Sequence, residues 1–175
     1  MLKHLLPGAY APDVFSIDYQ KLRDRGYKAI LFDIDNTLVH HNKDATPEVE
    51  ALFEKLHAMG LKTVLVSNND RERVERFLAR IESQYICDAR KPELSGYRKA
   101  LALAETAAEE AVFIGDQMFI DILGANRAGI DSIMVHFIVV NPKEKIGIRR
   151  HVENVVLFFY NLRRTVHKLE DVIVR

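Results

Sequence analysis

Four short stretches carry side chains that can do chemistry together. Asp33 and Asp35 stand two apart in Phe32-Asp33-Ile34-Asp35-Asn36-Thr37, and Ser67-Asn68-Asn69-Asp70 follows the apolar run Val64-Leu65-Val66. Arg90-Lys91-Pro92 comes further on, and Gly115-Asp116 precedes Asp121. Taken singly, each of these polar residues is as well explained as a helix cap or a strand end. Taken together, Asp33, Asp35, Asp116 and Asp121 in one crevice would repel one another unless a cation neutralised them. A hard oxygen-ligand site for Mg2+, with few protein ligands and the rest water or phosphate, resolves that conflict. A phosphate on such an ion then gives the remaining residues a task. Asp33 can attack phosphorus as a carboxylate nucleophile, forming an aspartyl-phosphate. Asp35 reaches the same centre if the loop curls; it can protonate the leaving oxygen and later take a proton from the hydrolytic water. The Ser67 hydroxyl, the Lys91 ammonium and loop N–H groups can hold the phosphoryl oxygens.

These stretches meet only if the fold brings them to one edge. Between Lys28 and about Val140 the chain alternates short apolar runs with helix-period segments. Strands are predicted at Lys28–Phe32, Lys62–Val66, Ala111–Ile114 and Ser132–Val135, with a shorter one at Tyr85–Cys87. Near-continuous apolar runs suit strands buried on both faces of a parallel sheet. Thr46 as N-cap, Pro47 at the first helical position and Gly60 as the stop bound a helix whose Val49, Leu52, Phe53 and Leu56 share one face. Val74, Phe77, Leu78 and Ile81 mark a second helix; Leu94, Tyr97, Leu101 and Ala104 mark a third. Strand–helix alternation at this pitch predicts an α/β fold, a three-layer αβα arrangement around a mainly parallel sheet. In such sheets ligands bind beyond the carboxyl ends of the strands, where all four stretches fall. Residues 1–27 show no clear period beyond a short helix around Tyr19–Arg25, and residues 148–173 read as a long C-terminal amphipathic helix.

Composition sets the outer limits. The 175 residues are 48% hydrophobic and 29% charged, and 25 Lys+Arg balance 25 Asp+Glu. Such a chain suits one domain spanning residues 1–175 and excludes a disordered chain, a collagen-like repeat or a disulfide scaffold. The balanced charge argues against a nucleic-acid binder. Cys87 alone cannot form an intramolecular disulfide, which fits a reducing compartment. No run approaches the roughly 20 apolar residues of a membrane span, and Pro7-Gly8 interrupts the N-terminal leucines before a signal-peptide core forms. A cytoplasmic location is expected.

Asp33-Ile34-Asp35-Asn36-Thr37 resembles the first motif of haloacid dehalogenase-like (HAD) phosphatases. Val64–Asn68 resembles their second, Lys91-Pro92 their third and Gly115–Asp121 their fourth, all in the family order. The resemblance implies a capless Rossmann-like HAD fold and makes Asp33 the nucleophile and Asp35 the acid/base. Ser67, Asn68 and Lys91 become phosphate-binding. Metal binding falls to the Asp33 carboxylate, the Asp35 main-chain carbonyl and Asp116, with Asp121 as a direct or supporting group. An acidic residue at position 35 favours phosphatases over the similar ATPases, which carry Thr there. Neither Asp35–Ser67 nor Ser67–Lys91 has room for the roughly 50 residues of a cap domain, so the site should be open and suit a phosphate carried by something large. Leu5-Leu6-Pro7-Gly8-Ala9-Tyr10, together with Ile30–Val39, is similar to the YqeG family of class IIIA HAD phosphatases. That family is similar in turn to the mitochondrial phosphatidylglycerophosphate phosphatases, which implies release of phosphate from phosphatidylglycerophosphate.

The C-terminal segment points the same way by composition. Residues 141–175 carry eight Lys+Arg against four Asp+Glu, so the rest of the chain is net acidic. Phe158, Phe159 and Tyr160 lie between two Arg pairs. Such a helix suits peripheral contact with a membrane interface, and it equally suits docking on the sheet or on another subunit. Three alternatives to a lipid phosphatase stand beside it: a phosphatase of a soluble phosphometabolite, nucleotide or phosphoprotein, a phosphate-sensing receiver-like switch, and a scaffold with a relic site.

Overall fold

The predicted apolar runs become the strands of one parallel sheet in the computed structural model of the chain, which describes residues 4–138 and 168–174. Its elements are β1 (Ala9–Ala11), α1 (Tyr19–Asp24), β2 (Ala29–Phe32), α2 (Pro47–Ala58), β3 (Lys62–Val66), α3 (Arg71–Phe77), β4 (Gln84–Ile86), α4 (Leu94–Ala104), β5 (Ala111–Gly115), α5 (Leu123–Arg127) and β6 (Asp131–Val135). The strand order is β1-β6-β5-β2-β3-β4, every neighbouring pair parallel. Because successive side chains in a strand point to opposite faces, the sheet feeds two apolar layers. Ile30, Phe32, Leu65 and Ile114 pack under α1, α2 and α3 through Leu22, Phe53, Leu56 and Phe77. Ala29, Leu31, Val66 and Phe113 pack under α4 and α5 through Tyr97, Ala100 and Ala125. At roughly 1.5–3 kcal/mol for each large apolar side chain buried, these layers carry the fold.

Local punctuation behaves as its chemistry requires. The Thr46 hydroxyl accepts from the Val49 N–H ahead of Pro47, and Gly60 takes the left-handed backbone (φ 77°) that ends the turn after α2. Register then sets the site. Phe32 lies opposite Leu65 on one side and Ile114 on the other, so β2, β3 and β5 end at nearly the same level. The chain leaves β2 toward β3 and β4 on one side and later fills β5 and β6 on the other. The carboxyl end of β2 is therefore the switch point where a crevice opens.

Two expectations at the chain ends need correction. Residues 1–27 contribute a strand, β1, which pairs Ala9 with Ile133 and Ala11 with Val135. Three residues are too few to display a period, and only the partner strand makes them a strand. Most of the amphipathic helix predicted over 148–173 lies outside the described residues. Its described end, 168–173, is not α-helical: a turn leads into a 3-10 helix at Glu170–Val172, and Ile173 bridges Ile17 in antiparallel fashion. The backbone there is used in tertiary bonds. Leu169 N–H donates to the Gly8 carbonyl (2.9 Å), Asp18 N–H to the Val172 carbonyl (2.7 Å), and Arg25 reaches both the Lys168 carbonyl and the Asp171 carboxylate.

Leu169 and Val172 are fully buried, whereas Val174 is 57% exposed. Leu169→Ala should lower unfolding free energy by about 2–5 kcal/mol, and Val174→Ala by less than about 0.5 kcal/mol. Urea denaturation of the two variants checks the difference; equal losses would show that this segment is not part of the core.

Candidate active site

Asp33 extends β2 by one residue, its N–H bonded to the Ile114 carbonyl at 3.0 Å. The loop beyond it turns back at once. Asn36 adopts a left-handed backbone (φ 63°), and the N–H groups of Thr37, Leu38 and Val39 all point to the Ile34 carbonyl. This curl carries the Thr37 hydroxyl to 3.3 Å from both Asp33 Oδ2 and Asp116 Oδ1. One hydroxyl hydrogen cannot satisfy both carboxylates.

The other oxygen of Asp33, Oδ1, accepts from Lys91 Nζ at 2.5 Å. Lys91 also donates to Asp121 Oδ1 at 2.8 Å and lies 5.4 Å from the centre of the Phe113 ring. Its position is set by its backbone. Asn68 Oδ1 accepts from the Lys91 N–H (2.7 Å), and Asn68 Nδ2 donates to the Lys91 carbonyl (3.3 Å), just before a cis bond to Pro92. Asn68, expected among the phosphate-binding residues, thus spends its side-chain amide on holding Lys91.

Asp121 returns toward β5 through a single turn of π-helix, Met118–Ile122. Its Oδ2 accepts from the Gln117 N–H (3.0 Å), and the Tyr97 hydroxyl sits 3.0–3.1 Å from the Ile120 and Asp121 carbonyls. Gly115 permits this approach, since a Cβ there would lie 2.6 Å from the Asp121 side chain. One carboxylate oxygen from each of Asp33, Asp116 and Asp121 falls within 4.8 Å of the others, all three residues buried. The Lys91 ammonium is bonded to two of the three, Asp33 and Asp121. Three buried carboxylates whose oxygens come this close fit a divalent cation of the Mg2+ type.

Asp35 faces a different set of partners. Its Oδ1 accepts from the Asn42 N–H (2.9 Å) and from Arg73 Nη2 (2.8 Å), and its Oδ2 accepts from Asn69 Nδ2 (2.6 Å). Asn69 is the link to Ser67, whose hydroxyl oxygen accepts from the N–H and Nδ2 of Asn69 at 3.1 and 3.0 Å. Ser67 itself is buried at the end of β3. The structure therefore brings Asp33, Lys91, Asp116 and Asp121 into one buried group, and places Asp35 and Ser67 beside each other through Asn69. Thr37, Asn69 and Arg73 escape the sequence reading as site residues. Thr37 stood within the first motif and Asn69 one residue past the second; nothing in the sequence separates Arg73 from Arg71 and Arg76.

The electrostatics differ between the two aspartates. Burial pushes Asp33 up to about 6, against the pull of Lys91, with Asp121 and Asp35 adding to the rise. For Lys91, burial works against the charge, but Asp121 and Asp33 outweigh it and hold the ammonium protonated. For Asp35, burial likewise raises the pKa, yet the Asn42 N–H, Arg73 and Asn69 outweigh it and the carboxyl lies below its ordinary value. The gaps between these motifs hold one helix and one strand each, α2 with β3 and α3 with β4, so no domain is inserted over the crevice.

Residues 41–129 match the model of the haloacid dehalogenase-like hydrolase family. The chain is 35% identical over 156 residues to "Probable phosphatase YqeG" of Bacillus subtilis, covering 89% of this chain and 91% of that protein. It is 28% identical over 140 residues to the chloroplastic phosphatidylglycerophosphate phosphatase 1 of Chlamydomonas reinhardtii, covering 74% of this chain and 52% of that protein. Among solved structures it is similar in fold to the cobalt-bound deoxy-D-mannose-octulosonate 8-phosphate phosphatase of Haemophilus influenzae, with a TM-score of 0.52 and 16% identity over 85% of this chain and 98% of the other. A HAD phosphatase of Thermococcus onnurineus gives a TM-score of 0.51 at 14% identity, over 74% and 97% of the two chains.

Because burial raises Asp33, the folded chain prefers its protonated form. That contribution to stability is complete below the ordinary value of 3.8 and is lost as pH rises through about 6. Without divalent ions, Asp33→Asn, which cannot ionise, should gain on the parent by on the order of 1–2 kcal/mol between pH 5 and pH 7.5. Urea titrations in chelator at the two pH values read the gap, and a gap that shrinks with pH would refute the burial argument.

Proposed function

The chain belongs to the YqeG family of haloacid dehalogenase-like phosphatases, and from that premise we propose that it hydrolyses phosphomonoesters through Asp33, with phosphatidylglycerophosphate at a membrane surface as its substrate. The observation that carries the chemistry is the buried chain Asp33–Lys91–Asp121 beside Asp116 at the end of β2. Asp33 is the nucleophile: its carboxylate oxygen forms a bond to phosphorus while the ester P–O bond breaks. Asp35, in its protonated form, gives a proton to the departing oxygen, then as the carboxylate takes one from the water that cleaves the aspartyl-phosphate and releases inorganic phosphate. Lys91 holds a phosphoryl oxygen as negative charge develops, and the Ser67 hydroxyl, its oxygen already occupied by Asn69, donates its hydrogen. Asp33 and Asp116, with the main-chain carbonyl of Asp35, would hold Mg2+, and Asp121 supports them by anchoring Lys91. The ion supplies neutralising charge for the carboxylates and the phosphoryl oxygens.

The lipid substrate has separate support. The relative from Chlamydomonas reinhardtii is named for phosphatidylglycerophosphate, and a crevice without an inserted domain suits a phosphate anchored in a bilayer. The basic and aromatic residues of 141–164 have the composition of an interfacial segment. No helix among the described residues is long and apolar enough to cross a membrane. We take residues 1–175 as one catalytic domain, with residues 141–164 as its membrane-contacting part.

Mixed micelles containing phosphatidylglycerophosphate should release phosphate with Mg2+ present and lose that activity in chelator. Asp33→Asn should lower turnover by roughly 10³-fold or more while the fold persists. Turnover of a soluble phosphoester with none on the lipid would overturn the substrate. A stable aspartyl-phosphate without multiple turnover would favour a switch module.

A further inference from the structure

α3 carries three arginines, and only one turns inward. Arg71 and Arg76 are largely exposed and pair with Glu75 and Asp44. Arg73 is 7% exposed, runs beneath the loop after β2 and stacks 5.8 Å from the centre of the Phe77 ring. Its Nη2 donates both to Asp35 Oδ1 and to the Lys43 carbonyl, each at 2.8 Å. Its Nε and Nη1 are buried with no hydrogen-bond partner among the described residues. A guanidinium buried with two N–H groups unbonded is a poor device for stability, because desolvation outweighs what one carboxylate returns.

We infer that Arg73 is the positioning residue for Asp35, locking Oδ1 so that Oδ2 is the oxygen turned to the leaving group. The inference rests on the proposed role of Asp35 as proton donor. Each carboxylate oxygen has two lone-pair directions. Those of Oδ1 are filled by the Asn42 N–H and Arg73, whereas Oδ2 has one hydrogen bond, from Asn69, with the exposed His41 Nδ1 at 3.7 Å, beyond hydrogen-bond distance. Asn69 also binds the Ser67 hydroxyl oxygen, so the Oδ2 side is the one that faces the phosphate-holding end of β3. Arg73 ties this arrangement to α3 at two points, the carboxylate itself and the loop carbonyl at Lys43. Without it Oδ1 keeps only the Asn42 N–H, from a loop that Arg73 also ties down at Lys43, and the proton donor is held less firmly against the ester oxygen.

Leaving-group dependence separates this role from a purely structural one. An alkyl ester such as glycerol 1-phosphate needs its departing oxygen protonated, whereas p-nitrophenyl phosphate departs as a stable phenolate. In the full-length protein with Mg2+, Arg73→Met should lower kcat/KM for the alkyl ester by about 10²-fold and for the aryl ester by less than about fivefold, with partial recovery in Arg73→Lys. Asp35→Asn should show the same selectivity, and Arg71→Met should change neither substrate. Equal losses on both esters, in Arg73→Met and in the milder Arg73→Lys, would overturn the positioning role. So would an unchanged ratio in Arg73→Met when Asp35→Asn remains selective. If Asp35→Asn itself shows no selectivity, the proton-donor reading fails and the role of Arg73 falls with it.

Discussion

A buried ammonium between two buried carboxylates is the interaction on which the rest of the site depends. Lys91 can neutralise Asp33 and Asp121 only if the end of β2, the loop after β4 and the turn after β5 arrive within hydrogen-bond distance of one point. Charges withdrawn from water are repaid only by near-ideal geometry, and several unrelated features serve that geometry. Asn68 grips the Lys91 backbone from β3, the Tyr97 hydroxyl steadies the π-helical turn, and Gly115 leaves room for the Asp121 side chain. The two apolar layers supply the rigidity, since two of the loops that meet at Lys91 leave β2 and β5, strands buried on both faces.

The site is not arranged for stability. Burial raises Asp33, Asp116 and Asp121 are buried with an oxygen within 4.8 Å of it, and Arg73 buries two N–H groups with no hydrogen-bond partner. These costs concentrate at the carboxyl edge of the sheet. Such a concentration is expected where a protein holds groups ready for a charged substrate and metal at the expense of its own folding free energy. The two aspartates of the first motif show how environment divides one residue type into two roles. Asp33 is raised by burial and shares Lys91, whereas Asp35, two residues later, is lowered by three donors and never meets that lysine.

Much of this was legible before the fold was known. β3 falls on its predicted residues, β2, β5 and β6 differ by one residue at an end, and α2 runs between the Thr46 and Gly60 signals. Strong apolar runs and local caps write themselves into sequence because their causes lie within a few residues. β1 and the 168–174 segment did not, because each is made by a partner far along the chain: β6 for the first, and Gly8 and α1 for the second. The periodic apolar residues Leu169 and Ile173 looked helical, yet they are core and bridge residues of a returning segment.

By itself, the sequence determined the order of strands and helices from β2 to β6, the four motifs and the kind of chemistry their carboxylates, lysine and hydroxyl allow. Residue type and local spacing suffice for that. Only the tertiary structure decided which partner each group has: that Thr37 bridges Asp33 and Asp116, that Asn68 serves Lys91, and that Arg73 among three arginines holds Asp35. Those choices depend on the register of β2, β3 and β5 and on loops that turn back over distances of a few ångströms, and no short stretch of chain encodes a distance to another.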